Sequence, residues 1–157
     1  MSKTNSIIEL LNDVLTAELT AINQYFLHAE LCAHWGYGKL AKVVKKQSID
    51  EMKHAHSLIE RILHLDGLPN VQRMGKVRVG ETVGEQFTLD FALEQEAVVR
   101  LNAGIAVCIA EGDHGSRVLL ESILTSEEAH IDWLDAQNKA LSQVGEQAYL
   151  AQMVSID

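Results

Sequence analysis

Two short motifs in this sequence pair a glutamate with a histidine one helical turn later. They are Glu51-x-x-His54 and Glu127-x-x-His130, and this spacing puts both side chains on one face of a helix. A carboxylate and an imidazole so placed can bind the same divalent cation. Such a pair is more often an ordinary solvated pair, and residues 111–114 show the same spacing inside a glycine-containing turn. The motifs therefore need support from the rest of the chain.

A further glutamate precedes each motif at the same distance and completes an internal repeat. Glu18 lies 33 residues before Glu51, and Glu94 lies 33 residues before Glu127. The second set is the first displaced by 76 positions. Counted from glycine-containing turns near residues 36 and 112, the members of each set fall at about the same height of a helical hairpin. The two sets are therefore predicted to converge on one level inside a helical bundle.

The apolar setting of these residues favours a binuclear metal site over a solvated surface. All lie on apolar helical rows, where four ionised carboxylates would repel one another and lose their hydration. Two divalent cations offset both penalties, and oxygen and nitrogen ligands without thiolates favour iron or manganese over structural zinc. Asp50, one turn before His54, and Ser126, one turn before the second histidine, are candidates to orient these imidazoles. The predicted ligands, which are also the predicted catalytic residues, are Glu18, Glu51, His54, Glu94, Glu127 and His130.

Four stretches with apolar residues at helical spacing must position these ligands. They cover about residues 5–34, 39–64, 84–110 and 115–142. Short links with glycine join the first helix to the second and the third to the fourth, so each of these pairs is predicted to be antiparallel. Asp113 is a candidate cap for the fourth helix.

The link between the second and third helices is different in length and composition. Residues 66–84 contain the only proline and no helical row, and they are long enough to run the length of a bundle. Helices two and three are therefore predicted to be parallel. The fold prediction is all-α: a four-helix bundle with one long crossover and a short C-terminal fifth helix after Gly145. Residues 1–157 are predicted to form a single domain.

Composition and charge restrict the classes of function. The formal net charge is −9, from 22 acidic and 13 basic residues, which disfavours nucleic-acid binding and favours attraction of cations. Only two cysteines occur, Cys32 and Cys108, without a CxxC motif, which fits a reducing compartment. No signal-peptide core and no apolar run of membrane-spanning length is present. The sequence thus predicts a cytoplasmic protein with no membrane or nucleic-acid partner.

The ligand pattern resembles that of ferritin-like di-iron proteins. Three stretches narrow the resemblance to bacterioferritins, and they are ELTAINQYFLHAEL, SIDEMKHAHSLIERILHLDGLPN and SEEAHIDWL. The resemblance extends over nearly the whole chain. It implies a ferroxidase with two iron ions per subunit, which oxidises Fe(II) to Fe(III) with O₂ or H₂O₂. It also implies iron storage and detoxification, with ferric mineral inside a hollow shell of 24 subunits whose four-fold pores are lined by the terminal helix.

The resemblance also implies roles for two further residues. Tyr25 corresponds to a tyrosine beside the ferroxidase centre that assists electron or proton transfer. Met52 corresponds to the axial ligand of haem b, one haem per pair of subunits, which assists iron release. Helical geometry puts Met52 about 100° from Glu51, on the outside of the bundle. Packing at an interface accounts for Met52 equally well if the resemblance is set aside. The other residues of this predicted outer surface are Leu19, Phe26, Ile49, His56 and Ile59.

One departure from the family and several alternatives stay open. Lys46-Gln47 stands where many bacterioferritins have a histidine and an acidic residue that bind an extra iron, so the centre acts either as a lasting cofactor or as a gate for iron.

A second subunit type and a reducing ferredoxin are further expected partners. The alternatives are a rubrerythrin-like di-iron peroxidase, disfavoured by the absence of rubredoxin-type cysteine pairs, and a non-enzymatic haem-bridged electron-transfer protein. A smaller DNA-protecting shell is disfavoured because its iron lies between subunits.

Overall fold

The computed structural model describes residues 3–155 of the 157-residue chain. No strand occurs within this range. The prediction of an all-α fold with four long helices and a short fifth is confirmed, and each long helix begins and ends within two residues of its predicted bounds. The predicted single domain extends past the described residues at both termini and stays a prediction. The helices are α1 Lys3–His34, α2 Gly38–His64, α3 Val83–Glu111, α4 His114–Val144 and α5 Glu146–Ala151.

The long helices form two hairpins whose turns differ chemically. α1 packs along α2 and α3 along α4, with further contacts between α1 and α3 and between α2 and α4. In the first turn, Gly36 adopts a positive φ of 91°, and no side chain caps the start of α2. In the second, Asp113 accepts a hydrogen bond from the Ser116 N–H at 3.0 Å and pairs with Arg61 of α2 at 2.7 Å. The predicted cap of α4 is confirmed, and it also joins the two hairpins.

The crossover between α2 and α3 is held by every fourth residue along α1. Because this ladder follows α1 from its N-terminal part towards its C-terminal part, the crossover runs parallel to α1 and delivers the chain to the far end of the bundle. Helices α2 and α3 are therefore parallel, as predicted. The ladder consists of Asn12 Nδ2 to Leu68 O (3.2 Å), Arg73 Nε to Thr16 Oγ1 (2.9 Å), Gly75 N to Thr20 Oγ1 (2.9 Å), Arg78 N to Gln24 Oε1 (3.1 Å) and Gly80 N to His28 Nε2 (3.0 Å).

Two apolar cores lie above and below the level of the predicted ligands. One contains Leu11, Leu15 and Leu58, and the other contains Val44 and Phe87. Burial of each such side chain contributes about 1.5–3 kcal/mol, so these cores hold the helices around a layer of charged residues that does not stabilise the fold by itself.

The short α5 folds back onto the end of the bundle. Tyr149 is buried, with its ring 6.0 Å from that of Phe87 and its hydroxyl donating to Gln137 Oε1 at 2.7 Å. This contact fixes the tail relative to α3 and α4. Within the part of the chain that the structure describes, no helix is both long enough and apolar enough to cross a membrane.

Candidate metal centre

The structure brings all six predicted ligands together between the two cores. Their ligand atoms form two groups, and within each group the atoms lie within 4.8 Å of one another. Glu51 and Glu127 belong to both groups, whereas the other four residues belong to one group each. Two carboxylates are thus placed to bridge two cations. The first group is Glu18, Glu51, His54 and Glu127, and the second is Glu51, Glu94, Glu127 and His130.

Each imidazole points its Nδ1 atom at the carboxylates. His54 Nδ1 lies 3.1 Å from Glu127 Oε1 and 3.2 Å from Glu51 Oε2. His130 Nδ1 lies 3.1 Å from Glu51 Oε1 and 3.4 Å from Glu94 Oε1. Because every ligand comes from the middle of a long helix, the backbone N–H groups around it already bond within that helix. The near neighbours of the carboxylates are therefore side chains, namely the imidazoles, one another and the hydroxyl of Tyr25 at Glu94.

Asp50 contacts a different histidine from the one that the sequence indicated. Its Oδ2 atom lies 3.3 Å from Nε2 of His130, which belongs to α4. Asp50 also pairs with Lys46 at 3.1 Å. The hypothesis that Asp50 orients His54 was wrong. A residue one turn before a histidine lies beside it on the same helix, but here the facing helix offers the closer imidazole.

The carboxylates have acceptor capacity that the protein does not use. Among the described residues, one buried oxygen atom of each of the four glutamates accepts no well-directed hydrogen bond, although an imidazole Nδ1 lies within 3.5 Å of three of these oxygens. Buried acceptors without donors are costly and therefore rare. A pair of divalent cations would satisfy these atoms, so the residues present fit two metal ions with mixed oxygen and nitrogen ligation.

The pKa values of the glutamates show how the cluster reduces its net negative charge in the absence of metal. Burial, and next the neighbouring Glu51, raise the pKa of Glu18 well above its usual range. Burial and a hydrogen bond with Glu94 do the same for Glu127. Burial would also raise the pKa of Glu51, but hydrogen bonds with Glu18 and both histidines outweigh it and lower the value. The cluster thus holds protons where cations would bind, and metal binding would displace them.

The neighbouring carboxylates also change the pKa of His130, whose protonated form carries a positive charge. Burial lowers its pKa, but hydrogen bonds with Glu51 and Glu94 outweigh this and raise the pKa to about 10. In the metal-free protein, the imidazolium of His130 offsets part of the negative charge of the second group.

Tyr25 lies directly beside the second group, as the resemblance implied. Its side chain is 1% exposed, and its hydroxyl donates a hydrogen bond to Glu94 Oε1. Burial, and after it the charge of Glu94, raises the pKa of Tyr25 well above its usual value. The phenol therefore keeps its proton and can give it up only together with an electron or to a neighbouring base.

A surface cavity of about 570 Å³ leads to the two histidines. Lys46, Asp50 and Lys53 line it together with His54 and His130. Lys46 is 75% exposed and forms an ion pair with Asp50. An ammonium group therefore lies at the wall of the cavity that leads to the centre.

Met52 lies on the outer surface that helical geometry predicted. It is 55% exposed, and Phe26 and Ile49 are exposed to 52% and 42%. Leu19 and Ile59 of this predicted surface are half-buried and also pack against the apolar core. His56 is exposed and pairs with Glu60. Met52, Phe26 and Ile49 are therefore the most exposed apolar residues of the predicted surface.

The sequence analysis missed a buried polar network one turn from the centre. His28 Nδ1 lies 2.9 Å from Asp90 Oδ1, and Gln24 Nε2 donates to the same oxygen at 2.9 Å. The available signal was Asp90 itself, which lies four residues before Glu94 on a row otherwise occupied by Phe87 and Phe91.

The four-helix bundle and its repeated carboxylate and histidine ligands define the ferritin-like class of proteins. A family model described as Ferritin-like domain matches residues 8–144. The chain is 51% identical over 149 residues to bacterioferritin of Mycobacterium leprae, covering 95% of this chain and 94% of that protein. It is 52% identical over 148 residues to bacterioferritin of Streptomyces coelicolor, covering 94% and 89%.

Solved structures give the same result. The Mycobacterium tuberculosis bacterioferritin BfrA superposes on this chain with a TM-score of 0.94 and 49% identity, covering 96% of this chain and 94% of that one. The chain belongs to the bacterioferritin family. The family assignment made from the ligand spacing and the three sequence stretches is confirmed.

Proposed function

We propose that this chain is an iron-storage subunit that oxidises Fe(II) to Fe(III) with O₂ or H₂O₂ at the centre formed by the two ligand groups. The observation that carries the proposal is the sharing of Glu51 and Glu127 between the two groups, with a buried oxygen on each of the four glutamates that accepts no well-directed hydrogen bond. Membership of the bacterioferritin family supports iron storage. Two Fe(II) ions held here supply the two electrons that reduce O₂ to H₂O₂, or H₂O₂ to water.

The protein residues have separate tasks in this reaction. Glu18 with His54 holds one ion, and Glu94 with His130 holds the other. The two shared carboxylates keep the ions close enough to act on one oxidant molecule. The protons released by Glu18 and Glu127 on metal binding are available for the reduced oxygen, and Tyr25 holds one more at its hydroxyl.

A storage role also requires a hollow assembly, because the interior of a single bundle is filled by its cores. We propose the 24-subunit shell of the family, with α5 near the four-fold pores. The shell is built from this chain alone or with a second subunit type, and a ferredoxin reduces the stored mineral. A cytoplasmic location, without membrane or nucleic-acid partners, is part of the same proposal.

We further propose that Met52 is the axial ligand of haem b, one haem being shared by two subunits. Its exposed thioether, with Phe26 and Ile49 beside it, offers a soft ligand on an apolar surface. Met52→Leu should then abolish the absorbance of the bound haem while Fe(II) oxidation stays within about twofold of wild type. Loss of both together would contradict this separation of roles.

The first test is rapid mixing of the metal-free protein with Fe(II) in air. We expect a fast oxidation phase whose amplitude saturates near two iron ions per chain. His130→Ala should remove that phase, whereas His114→Ala, from the Glu-x-x-His sequence in the turn at residues 111–114, should leave it intact. Absence of the fast phase in the wild type would overturn the proposal, and turnover of H₂O₂ without retention of ferric iron would indicate a di-iron peroxidase instead.

A further inference from the structure

Three fully buried polar side chains next to the centre have no assigned role. His28 and Gln24 are 0% exposed and Asp90 is 2% exposed. The Gly80 N–H donates to Nε2 of His28 at 3.0 Å, so this nitrogen is an acceptor and the proton lies on Nδ1. His28 therefore donates from Nδ1 to Asp90, which accepts a second hydrogen bond from Gln24.

The same network fixes the end of the crossover. Gln86 Nε2 donates to the Gly80 carbonyl at 3.3 Å, so buried side chains bind both the N–H and the C=O of Gly80. A Cβ atom at this glycine would lie 2.5 Å from the backbone nitrogen of Gln86, so the crossover packs directly against the backbone of α3 here and leaves no space for a side chain. His28 thus ties three elements together, namely α1, the crossover and α3.

The network and the centre form successive cross-links between α1 and α3. Asp90 precedes Glu94 by one helical turn, and Gln24 and His28 flank Tyr25 on α1. The Tyr25–Glu94 hydrogen bond and the His28–Asp90 hydrogen bond are therefore neighbouring rungs of one ladder. Fixing the second rung sets the axial position of α3 against α1, and through it the place of the Glu94 carboxylate.

The other metal position lacks such a support. The internal repeat of 76 residues relates Asp90 to Val14, and Glu94 to Glu18. Val14 is 2% exposed and belongs to the apolar core. The residue one turn before Glu18 is therefore held by apolar packing, which has no preferred direction, whereas Asp90 is held by two directed hydrogen bonds.

We propose that Asp90, held by His28 and Gln24, is a positioning residue that sets Glu94 for the second metal position and leaves the first, at Glu18 and His54, unaffected. The inference rests on the proposed function, because it assumes that both ligand groups bind metal. Loss of an outer residue that orients a ligand typically costs 10–100-fold in metal affinity. The effect should therefore fall on one of two binding steps.

The test is a Co(II) titration of the metal-free protein, followed by visible absorption and calorimetry, without any oxidation step. Asp90→Leu is compared in two backgrounds, each of which weakens one metal position. In Glu18→Gln, where the Glu94 position is left intact, Asp90→Leu should weaken Co(II) binding by about 10-fold or more. In Glu94→Gln, it should change binding by less than about twofold.

Two control variants separate positioning from general loosening. Asp90→Asn keeps an oxygen acceptor for His28 and Gln24, so it should restore most of the affinity. Thr20→Val removes the crossover contact at Gly75 without touching α3, so it should have no effect. If circular dichroism shows that Asp90→Leu does not fold, His28→Gln takes its place. This variant loses one of the two hydrogen bonds that His28 makes, which are with Asp90 and with the Gly80 N–H.

The outcomes distinguish the two proposals. A wild type that binds no Co(II) would overturn the proposed function and this inference with it. Two Co(II) ions in the wild type, with equal weakening of both positions or of neither by Asp90→Leu, would overturn this inference alone. An effect of Thr20→Val as large as that of Asp90→Leu would also overturn it, because the crossover rather than α3 would then be responsible.

Discussion

The two helical hairpins carry the same proposed metal ligands, but the residues that surround these ligands differ. Tyr25 donates a hydrogen bond to Glu94, whereas the residue related to Tyr25 by the internal repeat is Leu101, which is buried in the apolar core. His28 is related to Gly104, where even a Cβ atom would lie 3.1 Å from Leu10 Cδ1. Beside Glu18, therefore, the space that the polar network occupies near Glu94 is filled by aliphatic groups.

The surroundings of His54 and His130 also differ, and His130 again has the more polar neighbours. His130 has Asp50 at its outer nitrogen, and the repeat relates Asp50 to Ser126, which cannot supply a negative charge. The second proposed metal position is thus the one with polar support beside both Glu94 and His130. A duplicated ligand set does not imply two equivalent metal sites, because the residues around the ligands decide their orientation and charge.

The largest effect should come from the carboxylates that both groups share. Glu51→Gln alters both metal positions, whereas Glu18→Gln alters one. We expect Glu51→Gln to slow the fast phase of Fe(II) oxidation by about 100-fold, and Glu18→Gln by about 10-fold, because losing only an outer support already costs 10–100-fold in affinity. Stopped-flow absorbance measures both. Equal losses in the two variants would show that Glu51 does not bridge.

Tyr25 tests the difference between the two hairpins directly. Tyr25→Phe removes the hydroxyl that donates to Glu94 and should slow oxidation by about 10-fold, at the low end of proton-transfer contributions. Leu101→Met, at the related position of the other hairpin, conserves volume and should leave the rate unchanged. A normal rate in Tyr25→Phe would exclude this role.

The metal-free centre should make stability depend on pH. The raised pKa values of Glu18 and Glu127 contribute stability that is lost as pH rises above 4.5. The raised pKa of His130 contributes stability that is complete below 6.5 and is lost as pH approaches about 10. The lowered pKa of Glu51 acts in the opposite direction, but only below 4.5.

Scanning calorimetry between pH 6.5 and 10 tests whether the stability of the metal-free protein falls as pH rises. The melting temperature of the metal-free protein should fall on the order of 5 °C across this range, because the folded state holds protons that the unfolded chain has already released. Glu127→Gln should reduce the fall, and protein loaded with Co(II) should show less of it. A melting temperature that rises with pH in the metal-free wild type would contradict the assignment.

The smallest effect belongs to the turns, which also differ between the hairpins. Asp113 caps α4 and pairs with Arg61, whereas α2 begins without a side-chain cap. Asp113→Ala should cost about 1–2 kcal/mol, or about 3–6 °C in melting temperature. Lys139→Gln breaks only an exposed pair with Asp135 and should change the melting temperature by less than about 1 °C. Metal affinity should be unchanged in both.

Much of this architecture follows from local sequence patterns. Apolar rows at helical spacing, glycines in two turns and the length of residues 66–84 predicted four helices and a parallel α2 and α3. Equal counts from each turn predicted that Glu18 and His54 lie at one level. These features depend on a rise of about 1.5 Å per residue, so they can be counted along the chain without knowing how the helices pack.

The partners of the ligands could not be counted in this way. Helical spacing assigned Asp50 to His54, but the rotation of α2 against α4 turns it towards His130. The contact between His28 and Asp90 joins residues 62 positions apart, across an interface whose register depends on the whole crossover. The sequence by itself determined the proposed ligands, their helices and the level at which they meet. The tertiary structure decided which carboxylates are shared and which side chains support them, because these depend on the relative rotation and axial register of helices.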